Sequence, residues 1–133
     1  MVEAELAQLL IDYEAEHQQV CVAERDGPRQ IVILVGTSEA MALQRIVENL
    51  HPERPMTHEL LDSVVRGLGG QVARVEITGL KNATFHARLV LRDVDGKEIP
   101  LEARPSDSIP LAVRAGAPLY VDEEVLVEAG VVA

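Results

Sequence analysis

The stretch from residue 84 to residue 101 admits few folds. Phe85, Ala87, Leu89 and Leu91 alternate with His86, Arg88 and Arg92, which is the period-two pattern of a half-buried strand. Asp95-Gly96 then supplies a tight hairpin turn, and the chain returns through Ile99 and Leu101. A second alternating run precedes this hairpin: Ala73, Val75 and Ile77 against Arg74, Glu76 and Thr78. Gln30–Val35 is rich in β-branched residues and reads as a buried strand, and Val20–Ala23 reads as a shorter one. These runs demand a sheet of mostly antiparallel neighbours.

The remaining segments carry a helical period. Leu43, Ile46, Val47 and Leu50 fall on one stripe of 40–50, so Gln44, Arg45 and Glu48 are expected to face water. Leu60, Leu61, Val64, Val65 and Leu68 form the stripe of a second helix. Thr57 is its expected N-cap, with Met56 and Leu61 at the two positions of a hydrophobic staple and Gly69-Gly70 as its end. A third helix is expected over Ile109–Ala115. Pro110 has no N–H and fits the first three helical positions, which favours Asp107 as that helix's cap. A short strand, Leu119–Val121, and a last helical turn capped by Asp122 complete the chain. Residues 2–11 are ambiguous: composition favours a helix, whereas Val2, Ala4 and Leu6 alternate with Glu3 and Glu5 as in a strand. The fold class is α+β, a mostly antiparallel or mixed sheet with segregated helices, in one domain spanning 1–133.

Charge narrows the function. Twelve Lys and Arg against 22 Asp and Glu give a net charge of −10, so the overall field repels polyanions. Tyr13, Phe85 and Tyr120 are the only aromatics, too few for base-stacking platforms. A nucleic-acid function therefore needs a local basic site, a metal ion, or both. No apolar run approaches the ~18–20 residues of a membrane span, and no basic leader opens the sequence. The single Cys21 excludes an internal disulfide framework and a multi-cysteine zinc site, so a reducing, cytoplasmic setting is expected.

Two segments share one pattern. Arg54-Pro55-Met56-Thr57-His58-Glu59 and Arg104-Pro105-Ser106-Asp107-Ser108 each put Arg-Pro just ahead of a helix start. A helix N-terminus offers free backbone N–H groups and a partial positive charge, and arginine adds a fork that matches phosphate. Two such tips could clamp a phosphodiester. His58, in a polar first turn, suits a general base or a metal ligand. Glu39, Glu59, Glu102 and Asp107 lie at element ends, where carboxylates could hold Mg²⁺ or Mn²⁺. The plainer alternative is that Thr57, Ser106 and Asp107 only cap helices, and that Arg54 and Arg104 only pair with those carboxylates. No Walker loop, G-x-G-x-x-G, H-E-x-x-H or G-x-S-x-G is present.

These motifs, with Val35-Gly36-Thr37-Ser38-Glu39-Ala40, Thr84-Phe85-His86-Ala87 and Gly116-Ala117-Pro118-Leu119-Tyr120-Val121, come in the order and at the spacing of a known family. The chain resembles the bifunctional nuclease (BFN) domain family over nearly its whole length. The resemblance implies that the first ten residues form a strand, that the activity is a nuclease acting on DNA and RNA, and that the molecule is a homodimer. Some family members carry a further C-terminal module, which is not expected here. The family often has Asp at the positions of Glu59 and Glu102, Tyr at that of His86, and usually Ala at that of Pro110.

The expectation is a metal-assisted phosphodiesterase. Arg54, Thr57, Arg104 and Ser106 would bind phosphate. His58, Glu59 and Asp107 would act in catalysis, and Glu59, Glu102 and Asp107 would supply oxygens to Mg²⁺ or Mn²⁺, with Glu39 nearby. No organic cofactor or membrane partner is expected; the partners would be DNA, RNA or a small phosphorylated ligand. The competing expectation is a non-catalytic module that binds an anion or a protein. Whether the two Arg-Pro tips meet in space separates them.

Overall fold

Pairing partners, not local propensity, decide the first element. In the computed structural model, which describes residues 1–132, Val2–Leu10 is a strand, β1. It is hydrogen-bonded on one side to β2 (Gln18–Glu24) and on the other to β7 (Leu119–Val121), both antiparallel. Two neighbours outweigh the helix-forming tendency of Ala, Glu, Leu and Gln. The strand reading of this segment, and not the helical one, is the one the chain adopts.

The remaining elements follow as β3 (Arg29–Val35), α1 (Thr37–Val47), α2 (Thr57–Gly67), β4 (Gln71–Lys81), β5 (Thr84–Arg92), β6 (Glu98–Ala103), α3 (Pro105–Ala115), α4 (Glu123–Ala129) and β8 (Val131–Val132). One sheet takes the order β6-β5-β4-β7-β1-β2-β3-β8. Every pairing is antiparallel except that of β4 with β7. The hairpin between β5 and β6 turns at Asp95-Gly96 as the sequence dictates, with Gly96 at a φ of 82°. The β4–β5 turn uses Asn82 and Ala83, both at positive φ (51° and 62°), the twist a two-residue hairpin requires. Alanine there is strained by about 1 kcal/mol.

Val22, Ile31, Val75, Ile77, Ile109, Ala112 and Val121 are fully buried and come from β2, β3, β4, α3 and β7. Helix α3 is the hub: it packs against α1, α2, β4 and β5. Pro110 lies inside this helix, which begins at Pro105 and not after Asp107. Arg104 is the N-cap, and Pro105 fills the first helical position, where its missing N–H costs nothing. Pro110 does cost one bond, to the Ser106 carbonyl, and its ring is fully buried in return.

The stripe on α2 points the wrong way. Leu60, Leu61, Val64 and Leu68 are exposed, while His58, Glu59 and Asp62 are buried. The helix docks by ion pairs: Asp62 Oδ2 lies 3.0 Å from Arg114 Nε of α3, and Glu59 Oε1 lies 3.4 Å from Arg45 Nη2 of α1. Arg45 therefore turns inward, not to water. Nor does the staple form, because Met56 is itself the N-cap and Leu61 faces outward.

Arg29 ties the far edge of the sheet. Its guanidinium donates to Glu24 of β2 at 2.6 Å and to Glu123 of α4 at 2.9 Å. Hydrogen bonds from Arg29 hold both carboxyls below the usual Glu value of 4.5. Arg74 does the same for Glu98. Depressed carboxyls stabilise the fold above their unfolded value, and that contribution is lost as pH falls through the lower folded values. The urea midpoint is expected to drop as pH is taken from about 5 to about 3. Arg29→Met should make that slope shallower; an unchanged slope would show that the cluster contributes nothing.

Candidate functional site

Three helices start at one place. The first turns of α1 (Ser38, Glu39), α2 (Thr57, His58) and α3 (Asp107, with the N-cap Arg104) line a common cavity of about 310 Å³. None of these helices has a side chain capping its N-terminus. Helix α4, which starts elsewhere, is capped in the ordinary way: the Asp122 carboxylate accepts from the Glu124 N–H. The uncapped N–H groups and the positive ends of three macrodipoles are thus gathered at a single cleft.

Local sequence explains each tip. Gly36 ends β3 and becomes the N-cap of α1, and the Glu39 carboxylate folds back so closely that a Cβ at position 36 would strike it. Buried Gln18 donates its amide to Thr37 Oγ1 at 3.2 Å and to the Asp12 carbonyl at 2.9 Å. It anchors the start of α1 to the loop after β1. At α3, proline at the first position fixes the entry angle, and Ser108 Oγ donates to the Arg104 carbonyl at 3.0 Å.

Asp107 organises the centre. Its Oδ2 accepts from Arg104 Nε at 2.9 Å, and its Oδ1 stands 3.4 Å from His58 Nε2. His58 is only 7% exposed, and Nε2 has no hydrogen-bond partner among the described residues. Arg104 is 69% exposed at the mouth and also approaches Glu39 Oε1 at 3.8 Å. Such exposed pairs are worth little, so Arg104 is free to turn to an incoming anion. Arg45 Nε and Glu59 Oε2 are buried and have no hydrogen-bond partner among the described residues. A second cavity, of about 550 Å³, opens alongside and shares Glu39 and Arg104; Ser106, His17, Leu34 and Phe85 are on its wall.

The anticipated residues divide accordingly. His58, Asp107, Thr57, Arg104 and Glu39 come together, and Ser106 faces the adjoining cavity. Thr57 and Asp107 are not caps, since they are the first and third helical residues. Glu59 lies behind the site, paired with Arg45. Glu102 is on β6, beside Thr78 and His86, away from the helix tips. Arg54 is exposed in the α1–α2 loop, lines neither cavity, and makes no ion pair among the described residues. The arginine that reaches the cavity from α1 is Arg45, which the periodicity had assigned to solvent. Among the described residues no three His, Cys, Asp or Glu side chains gather to hold a metal ion. The Glu59, Glu102 and Asp107 set does not fit one, because Arg45 holds Glu59 and Glu102 is on another part of the surface.

The bifunctional nuclease domain model matches residues 20–133. The chain belongs to the bifunctional nuclease domain family. It is 34% identical over 130 residues to an uncharacterised protein of Mycobacterium tuberculosis, spanning 98% of this chain and 77% of that one. It is also similar to bifunctional nuclease 1 of Oryza sativa subsp. indica, at 25% identity over 84% of this chain. Bifunctional nuclease 2 of Arabidopsis thaliana is 27% identical over 82%. The chain spans about a third of the length of those plant relatives, 34% in each case. The α+β architecture of this bifunctional nuclease domain is the fold class expected from the sequence. Among the described residues no helix is long and apolar enough to cross a membrane.

Proposed function

We propose that this domain binds a phosphodiester of DNA or RNA at the three helix tips and hydrolyses it. The observation that carries the reading is the convergence of uncapped helix N-termini on a cavity that holds Arg104 and the partnerless Nε2 of His58. Backbone N–H groups and Arg104 take the non-bridging oxygens. His58 Nε2 receives the proton of the attacking water as its oxygen bonds to phosphorus, and the P–O bond to the leaving group breaks. Asp107 positions Arg104, and its Oδ1 stands 3.4 Å from the imidazole, where it would favour the imidazolium formed on proton transfer. The plant relatives named bifunctional nucleases support the same reaction class.

A binding role without cleavage is favoured by one observation: Arg104 and Arg45 already have carboxylates of their own domain. One set of experiments separates the two. The purified protein is incubated with single- and double-stranded DNA and RNA under Mg²⁺, Mn²⁺ and chelator, and oligonucleotide binding is measured in parallel. Cleavage that co-purifies with the protein supports the nuclease reading. Binding without cleavage under every condition supports the second and sinks the first. Arg104→Met is expected to weaken oligonucleotide and inorganic phosphate binding about tenfold, the loss of one charge-assisted contact. Unchanged affinity would remove the helix-tip cleft as the anion site.

A further inference from the structure

The larger cavity beside the helix tips has an apolar wall that phosphate binding does not explain. One part of that wall is the end of β3, where Leu34 is 62% exposed and Val32 is partly buried. Another part is the end of the β4–β5 hairpin, where Leu80 and Phe85 are paired across the two strands. In the sheet β7, β1 and β2 lie between β4 and β3, so the twist of the sheet brings these two ends to one cavity. The start of α3 closes it with Pro105 and Ser106, directly after Arg104. Glu39 and Arg104, which belong to both cavities, stand 3.8 Å apart at the junction. Among the described residues Glu39 is the one acid on this wall, in a chain with 22 of them.

We infer that this cavity is a nucleobase subsite, and that the helix-tip cleft takes strands whose bases are unpaired. The inference rests on the phosphate reading of that cleft, but not on cleavage. Connectivity selects the occupant. Arg104 faces both cavities, so a phosphate held by it has its own nucleoside beside the second one, and only sugar and base adjoin a phosphodiester. The chemistry of the wall fits the base. Its flat face is apolar and lies against Phe85 and Leu34, while its edge carries donors and acceptors that the hydroxyls of Ser106 and Thr84 can meet. A hydroxyl both donates and accepts, so the wall does not demand one particular base. The cavity, at about 550 Å³, has the size of an ordinary small-ligand pocket, ~300–1,000 Å³. A base inside a duplex has both faces covered by its neighbours and must leave the stack before it can lie on Phe85. A strand that is already single avoids that cost. Three aromatic residues are too few to stack a run of bases, but a pocket for one base needs only one ring, and Phe85 supplies it.

The test is calorimetric affinity for three probes of equal length, with chelator present to prevent turnover. They are a single-stranded oligothymidylate, the same backbone with abasic sites, and the oligothymidylate paired with its complement. The wild type is expected to hold the single strand about tenfold more tightly than the other two. Leu34→Ala removes an exposed side chain, and Phe85→Leu keeps apolar bulk against the core while removing the ring. Each should weaken single-strand binding by at least about fivefold and leave the abasic strand within about twofold, with urea midpoints confirming that both variants fold. Equal affinity for base-bearing and abasic strands, both still weakened by Arg104→Met, overturns the base subsite and leaves the phosphate reading standing. A duplex bound as tightly as the single strand, or a preference for bases that survives both wall variants, also overturns it. No binding of any probe, or binding indifferent to Arg104→Met, overturns both readings together.

Discussion

His58→Asn is expected to reduce nucleic-acid cleavage by about 10²- to 10⁴-fold while leaving oligonucleotide affinity within about twofold. The size follows from the role. A positioned side chain that transfers a proton in the transition state contributes in that range, and asparagine keeps a polar side chain in the buried site without a ring nitrogen to titrate. The split between rate and affinity follows from the geometry. In the proposed complex the anion contacts would come from Arg104 and backbone N–H groups, whereas His58 is buried beside them, 3.4 Å from Asp107. A merely structural histidine would show the reverse: a lower unfolding midpoint with the turnover of the folded fraction unchanged. The measurement is therefore kcat and KM on a defined oligonucleotide, with urea unfolding of the same preparation. Full activity in His58→Asn would remove the residue from the chemistry and leave the cleft as a binding site.

The sheet was legible because strands carry their own register. Alternation in β4 and β5 fixes which residues face inward, and Asp95-Gly96 fixes where the chain reverses. Even so, Glu76 is buried on β4 beside Val75 and Ile77, held by Arg74 at 2.9 Å and Arg88 at 3.5 Å. Helix α2 was legible as a helix and not as an orientation. Periodicity defines two faces, and which of them turns inward depends on what α1 and α3 offer. Here they offer Arg45 and Arg114, so the polar face docks. Pro110 misled for a related reason: a local rule about missing N–H groups gave way to the burial of its ring against the core. The helix tips that follow the two Arg-Pro segments converge on one cavity, although Arg54 itself lines neither cavity. The third tip, at Gly36 and Glu39, was marked by the segment 35–40 and by Glu39 as a carboxylate at an element end, but carries no Arg-Pro pair. Arg45 and Gln18 had none, since their roles exist only through partners distant in sequence.

Removing the carboxylate of Asp62 is expected to destabilise the protein by about 2–3 kcal/mol, although no apolar contact is lost. Asp62 is 5% exposed and is the anchor between α2 and α3, with Arg114 Nε at 3.0 Å and Arg66 Nε at 3.7 Å. Breaking a buried pair from one side typically costs about 3–5 kcal/mol, because the orphaned charge stays desolvated. The lower figure applies here because Arg114 and Arg66 are partly exposed and recover some hydration. Asp62→Ala should therefore lower the urea midpoint at fixed protein concentration, and Arg114→Met alone should do likewise. The double variant Asp62→Leu with Arg114→Met should recover most of the loss, since an apolar pair of similar volume needs no compensating charge. A loss below about 0.5 kcal/mol in Asp62→Ala would mean that α2 is held by something other than its inward charges. The same variants bear on the cleft. His58 lies in the first turn of the helix that Asp62 anchors, so a loosened α2 should lower cleavage in the folded fraction of Asp62→Ala, and the apolar double variant should restore it together with stability.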